Sequence, residues 1–140
     1  MTEKRPWLKY YDPGVPPTIH YPDIPVQQLL HVAAAAQPHQ ASTNFFGTVL
    51  TFRRIRSQVL RMANALIGMG IQKGDRVALA LPNCPQYVVA YYGVLSAGGI
   101  VVNMNPLYTF DELKFMMENA GVETLITFDG ALGVMRPLSK

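Results

Sequence analysis

From Val77 to Phe110 the chain carries no Asp, Glu, Lys or Arg. A helix that spans a membrane needs about 20 consecutive apolar residues. Here the apolar runs are cut by Pro82-Asn83-Cys84-Pro85, by Gly98-Gly99, by Asn103 and by Asn105-Pro106. The pieces left between those breaks have the lengths of strands and of one short helix. Parallel strands covered by helices on both faces read as almost unbroken apolar sequence, so the stretch points to the interior of an α/β sheet.

The flanking sequence fits that interior. Arg76–Leu81 (RVALAL) is a strand, Gln86–Ala97 a helix that is apolar nearly all round and so expected to be buried, and Ile100–Asn103 a second strand. Asn83 is placed to cap the helix, with Pro85 tolerated in its first turn. Thr109 with Glu112 three residues on forms a capping box, and Asp111 adds negative charge at the positive end of that helix dipole. Gly121 closes the helix, and Glu123–Phe128 is the third strand. Strand–helix–strand–helix–strand at this spacing means parallel strands joined by right-handed crossovers. Asp129–Lys140 reads as a loop or the start of another helix.

Upstream, Phe52, Ile55, Val59, Met62, Ala63, Leu66 and Met69 recur at helical spacing, opposite Arg53, Arg54, Ser57, Arg61 and Asn64. Thr51 is a suitable N-cap, and Gly68 and Gly70 end the helix. Thr43–Phe46 and Thr48–Leu50 meet at Gly47 as a small hairpin, and Val26–Gln37 is an Ala-rich helix stopped by Pro38. Residues 1–25, with Trp7, Tyr10, Tyr11, Tyr21 and many prolines, form an extended arm, since proline fixes φ and removes a donor. The aromatic groups predict that the arm packs on the body or on a second subunit. The chain thus divides into an arm, 1–25, and an incomplete α/β domain, 26–140. It is a partial βαβαβ parallel sheet with flanking helices, and no internal repeat is present.

Composition removes several classes of function. Of 140 residues, 49% are hydrophobic and 15% charged, enough for a core and too little charge for a disordered chain. A single cysteine excludes an internal disulfide framework and fits a reducing, cytoplasmic setting. The net charge of +3 invites a nucleic-acid reading. However, the basic residues cluster from Arg53 to Lys73 without the interleaved aromatics of a single-strand binder, so no nucleic-acid partner is expected. Lys4, Arg5 and Lys9 ahead of Leu29–Ala36 copy a signal peptide poorly, because Asp12, Asp23, several prolines and His31 interrupt the pattern.

Chemistry-bearing constellations are few. Gly68–Gly74 has glycines and Lys73, but it follows a helix and precedes a strand, the reverse of a phosphate-cradling loop. No Gly-x-Ser-x-Gly elbow occurs. His20, His31 and His39 lack metal-ligand spacing. Cys84, at a helix start, has no base nearby in sequence and reads as a packed core thiol. Asp111 and Glu112 are explained by the capping box, and the arginine face by solvation.

A family resemblance adds to this. Lys73–Asn83 (KGDRVALALPN), Tyr87–Ala97 and Val101–Thr109 (VVNMNPLYT) with Glu112-Leu113, together with Leu50–Arg53, Ala63–Leu66 and the arm's Trp7–Tyr11 and Gly14–Pro16, resemble the N-terminal portion of the long-chain fatty acid–CoA ligases. These belong to the adenylate-forming acyl-CoA synthetase superfamily. The resemblance implies ATP- and Mg2+-dependent conversion of a fatty acid to an acyl-adenylate, then thioester formation with coenzyme A. It also implies a homodimer through the arm and peripheral association with the inner face of the membrane. The family's phosphate loop ending in Pro-Lys-Gly, its aromatic-Gly-x-Thr-Glu motif, its ribose-binding aspartate and its C-terminal-domain lysine do not occur in these residues. The resemblance therefore assigns no catalytic, cofactor-binding or metal residue here, and the chain alone is expected to be inactive and prone to self-association along Thr124–Phe128. The other class of function left open is a noncatalytic α/β interaction or lipid-binding module.

Overall fold

Two α-carbons that leave the usual backbone region set the first turn of the fold. In the computed structural model, which describes residues 5–131, Phe46 and Gly47 both have positive φ, 48° and 84°. That is the geometry of the tight turn that matches strand twist. It joins β1 (Ala41–Phe45) to β2 (Thr48–Thr51), antiparallel. The expected hairpin is therefore present and starts slightly earlier than its composition indicated. Before it come α1 (Val26–Ala36) and the arm, whose described residues form no strand and are interrupted by a short 3-10 turn at Pro6–Tyr10 and a turn at Pro13-Gly14, where the Val15 N–H donates to the Asp12 carbonyl.

Thr51 ends β2 and caps α2 (Phe52–Gly68), its Oγ1 accepting from the Arg54 N–H at 3.3 Å. The helix stops by a paired device. Gly70 takes φ 99°, its N–H donates to Ile67, and the Ile71 N–H reaches back to Leu66. Only a residue without Cβ accepts that left-handed geometry cheaply.

The second sheet has three parallel strands, β3 (Arg76–Ala80), β4 (Ile100–Asn103) and β5 (Thr124–Thr127), in the order β4-β3-β5. Its linking helices are α3 (Pro85–Ser96) and α4 (Phe110–Ala120). The expected α/β fold and parallel strands are present. β3 is central, with Val77–Ala80 fully buried. Val77, Leu79 and Leu81 pack with Ala90 and Val94 of α3 and Leu66 of α2. Ala78 and Ala80 pack with Leu113 of α4 and with Met104 and Val122. The two connecting helices therefore cover opposite faces of the sheet.

Two expectations are corrected. Cys84, not Asn83, is the N-cap of α3, and it makes no side-chain capping bond. The helix is not buried all round: only Ala90, Gly93 and Val94 are, because one face meets the sheet, the next meets α2, and the rest is half-buried or exposed. On this chain Trp7, Tyr10, Tyr11 and Tyr21 of the arm are exposed. Asp129–Ala131 forms a 3-10 turn, and the remainder of the 129–140 expectation lies outside the described residues. Among the described residues no helix is long and apolar enough to cross a membrane.

Candidate functional site

Strand order locates the crevice. The chain leaves β3 for β4 on one side through α3, then returns through α4 to β5 on the other side of β3. Between β3 and β5 the winding reverses, and in open parallel sheets ligands bind beyond the carboxyl ends of the strands at such a switch point. A groove of about 910 Å³ lies there. Its floor is Leu81 and Pro82 after β3 and Ile126 to Phe128 at the end of β5. Its walls come from the start of α3 and from Gln58, Arg61 and Met62 of α2.

Local chemistry fixes this frame. The Thr127 hydroxyl donates to the Ala80 carbonyl at 3.0 Å, clamping the tips of β5 and β3 together. On the other side of β3, the Met104 N–H donates to the Leu79 carbonyl at 3.0 Å. The Tyr87 hydroxyl on α3 donates to Asn103 Oδ1 at 2.9 Å. Burial, with the Tyr91 phenol adding to it, pushes the Tyr87 hydroxyl above its ordinary value and keeps it a donor. Asn105 then turns the chain by accepting from the Leu107 N–H at 3.0 Å. The loop beyond β4 is thus held by a long-range bond from Tyr87 to Asn103 and by a local turn at Asn105.

The groove is mostly lined by apolar atoms, with Arg61 and Asp129 as its charged members. It can take an apolar group and exclude water from it. Cys84 lines the same groove and is half-buried, so it is not the packed core thiol expected from sequence. His20 and His39 are exposed, and His31 accepts from Arg56 Nε at 3.1 Å. Among the described residues no three His, Cys, Asp or Glu side chains come together as a metal site. Asp111 and Glu112 serve α4: both capping-box bonds with Thr109 are made. The Thr109 backbone N–H, then its hydroxyl, holds the Glu112 carboxyl below the usual carboxylate value. Gly68–Gly74 is consumed by the end of α2 and by the following turn, where the Gln72 N–H donates to Asp75 Oδ2 at 2.8 Å. Arg53, Arg54, Ser57, Arg61 and Asn64 form the exposed face that their spacing predicted, and Arg56 is exposed beside them.

Known proteins match this arrangement. The model of the AMP-binding enzyme family fits residues 30–139. This chain belongs to the AMP-binding enzyme family. Among its AMP-binding relatives, a Long-chain-fatty-acid–CoA ligase of Bacillus subtilis (strain 168) is 46% identical over 129 residues, covering 92% of this chain and 23% of that protein. One from Salmonella typhimurium (strain LT2) is 41% identical over 126 residues, covering 88% and 22%. The N-terminal domain of FACL13 from Mycobacterium tuberculosis shares the fold, with a TM-score of 0.77 at 24% identity, over 81% of this chain and 30% of that one. The chain therefore spans less than a quarter of the length of the curated relatives it matches.

Groove residues such as Gln58, Arg61 and Asp129 were not singled out as a site from the sequence. The available signal was the run of residues just after β3 and β5, the carboxyl tips of parallel strands.

Proposed function

We propose that this chain is part of a fatty acid–CoA ligase. The intact enzyme joins a fatty acid to coenzyme A through an acyl-adenylate, at the expense of ATP and with Mg2+. The observation that carries this reading is the 46% identity over 92% of the chain to a long-chain-fatty-acid–CoA ligase of Bacillus subtilis. The groove at the switch point supports it, because a mixed anhydride must be shielded from water. Residues 26–140 then form part of a larger α/β domain, and residues 1–25 its arm.

The described residues do not fit a magnesium site, and their one glycine-rich run closes a helix. The reading assigns catalytic, nucleotide-phosphate and metal contacts to no residue of this chain. Its contribution is structural: it builds the central strand and the apolar crevice beside it.

Fatty-acid-dependent exchange of pyrophosphate into ATP tests the proposal. The intact gene product should catalyse it, and the 140-residue chain alone should not. An intact product that fails with every chain length of fatty acid overturns the activity. Exchange by the short chain overturns the view that it lacks catalytic residues.

The same reading places the enzyme in the cytoplasm, at the inner membrane face, as a homodimer through the arm. The exposed aromatic groups of the arm support this, since such a surface favours a covering partner. Trp7 is the only tryptophan of these 140 residues; its fluorescence in the intact protein, taken as the difference from a Trp7→Phe variant, should become less quenched by iodide as protein concentration or added vesicles rise.

A further inference from the structure

α1 is lightly held. Of its side chains only Leu30 and Ala34 are buried, whereas Val26, Leu29 and Val32 are exposed. The side-chain hydrogen bond that ties it to α2 runs from Arg56 Nε to His31 Nδ1 at 3.1 Å. Its C-terminal exit is anchored differently, by backbone: the Arg53 N–H donates to the Pro38 carbonyl and the Phe52 N–H to the Gln40 carbonyl. α1 is therefore fixed at one end, packed through Leu30 against Ile55 and Val59 of α2, and latched beside that contact by a histidine.

That latch has a chemical requirement. Nδ1 accepts only when the imidazole is neutral and its proton sits on Nε2. A second proton removes the acceptor and sets a cation against a guanidinium that never loses its charge. Nothing on the packed helices offsets this. α1 has no other charged residue. α2 has Arg53, Arg54, Arg56 and Arg61 and no carboxylate. α3 has no charged residue, and its titratable groups are Tyr87, Tyr91 and Tyr92. The nearest carboxylate along the chain, Asp23, precedes α1.

We propose that the His31–Arg56 pair is a proton-sensitive latch for α1 and for the arm that α1 carries. The helix docks on α2 while His31 is neutral and loosens on acidification. This rests on the geometry of the pair and goes beyond the ligase reading.

Amide hydrogen exchange on the intact protein tests it. Between about pH 7.5 and about pH 5.5, where histidine switches in general act, α1 amides should lose about threefold or more of their protection relative to α2. The comparison is made after correction for intrinsic exchange. A fall of that size is what one net hydrogen bond is worth. His31→Gln keeps an acceptor for Arg56 and does not titrate. It should retain α1 protection within about twofold at the higher pH, on the same scale, and show no loss at the lower one. Arg56→Ala should lower protection at the higher pH and flatten the dependence. Equal wild-type protection of α1 at both pH values overturns the latch, and so does a loss that persists in His31→Gln.

Discussion

The two faces of β3 solve the same packing problem in opposite ways. Toward α3 the strand presents large side chains, Val77, Leu79 and Leu81, which meet the small Ala90 and the larger Val94 of α3 and Leu66 of α2. Toward α4 the strand presents Ala78 and Ala80, and the large residues, Leu113, Met116 and Met117, stand on the helix. Close packing needs large against small, and either partner can supply the bulk. The difference has a consequence for layering. Small residues on α3 let a third layer approach: a Cβ placed on Gly93 would lie 2.6 Å from Met62 Cγ of α2. α4 packs its large residues directly on the strand, and its ends are held by a capping box and by Gly121 at φ 61°.

Charge in the layered face should do the most damage. Val94 is fully buried between strand and helix. Val94→Asp should abolish cooperative unfolding, because an unpaired buried charge costs several kcal/mol. Val89, which the apolar run made look equivalent, is only half-buried beside the groove. Val89→Asp should leave a folded protein by circular dichroism, and equal loss in both variants would erase the distinction between faces of α3.

Truncation on the opposite face comes next. Leu113→Ala removes the main buried side chain of α4 and should cost about 2–5 kcal/mol in urea denaturation. Overfilling the layered face should cost less. Gly93→Ala forces Met62 or the α2 backbone to move and should cost about 1–3 kcal/mol. A neutral Gly93→Ala would mean that the α2–α3 approach is loose, and the contrast between the faces would fail.

The smallest effect concerns the end of α4. The Glu112 carboxyl is held below its ordinary value of 4.5 by the Thr109 N–H and hydroxyl. A depressed carboxylate contributes stability above its unfolded value and loses it as the pH falls through the folded one. Protection of the first turn of α4 should therefore decline in acid below about pH 4.5, with α2 unaffected. Glu112→Gln should remove that dependence, and Thr109→Ala should cost about 1 kcal/mol at neutral pH.

Much of the fold could be read from local pattern. The hairpin followed from β-prone runs on either side of Gly47, α2 from its spacing, and α4 from Thr109 and Glu112. In each of these, the deciding interaction spans four residues or fewer. The misreadings share the opposite property. α3 is apolar all round, so its sequence gives no direction in which a face could remain open. Cys84 reads as core until β5 and α2 are placed around it. The groove draws on residues from Phe45 to Gly130, and no window of sequence contains its walls.

By itself, then, the sequence determined the elements, their ends and the parallel class of the sheet. Those depend on side-chain period, on capping groups and on glycines that accept positive φ. It also carried the resemblance on which the family membership was first read. Only the tertiary structure decided that β5 returns to the far side of β3, and so where the crevice lies. It alone decided which face of β3 takes bulk from the strand and which from the helix, and that His31 meets Arg56. Those outcomes depend on contacts between residues far apart in the chain, where geometry in space, not spacing along the sequence, selects the neighbour.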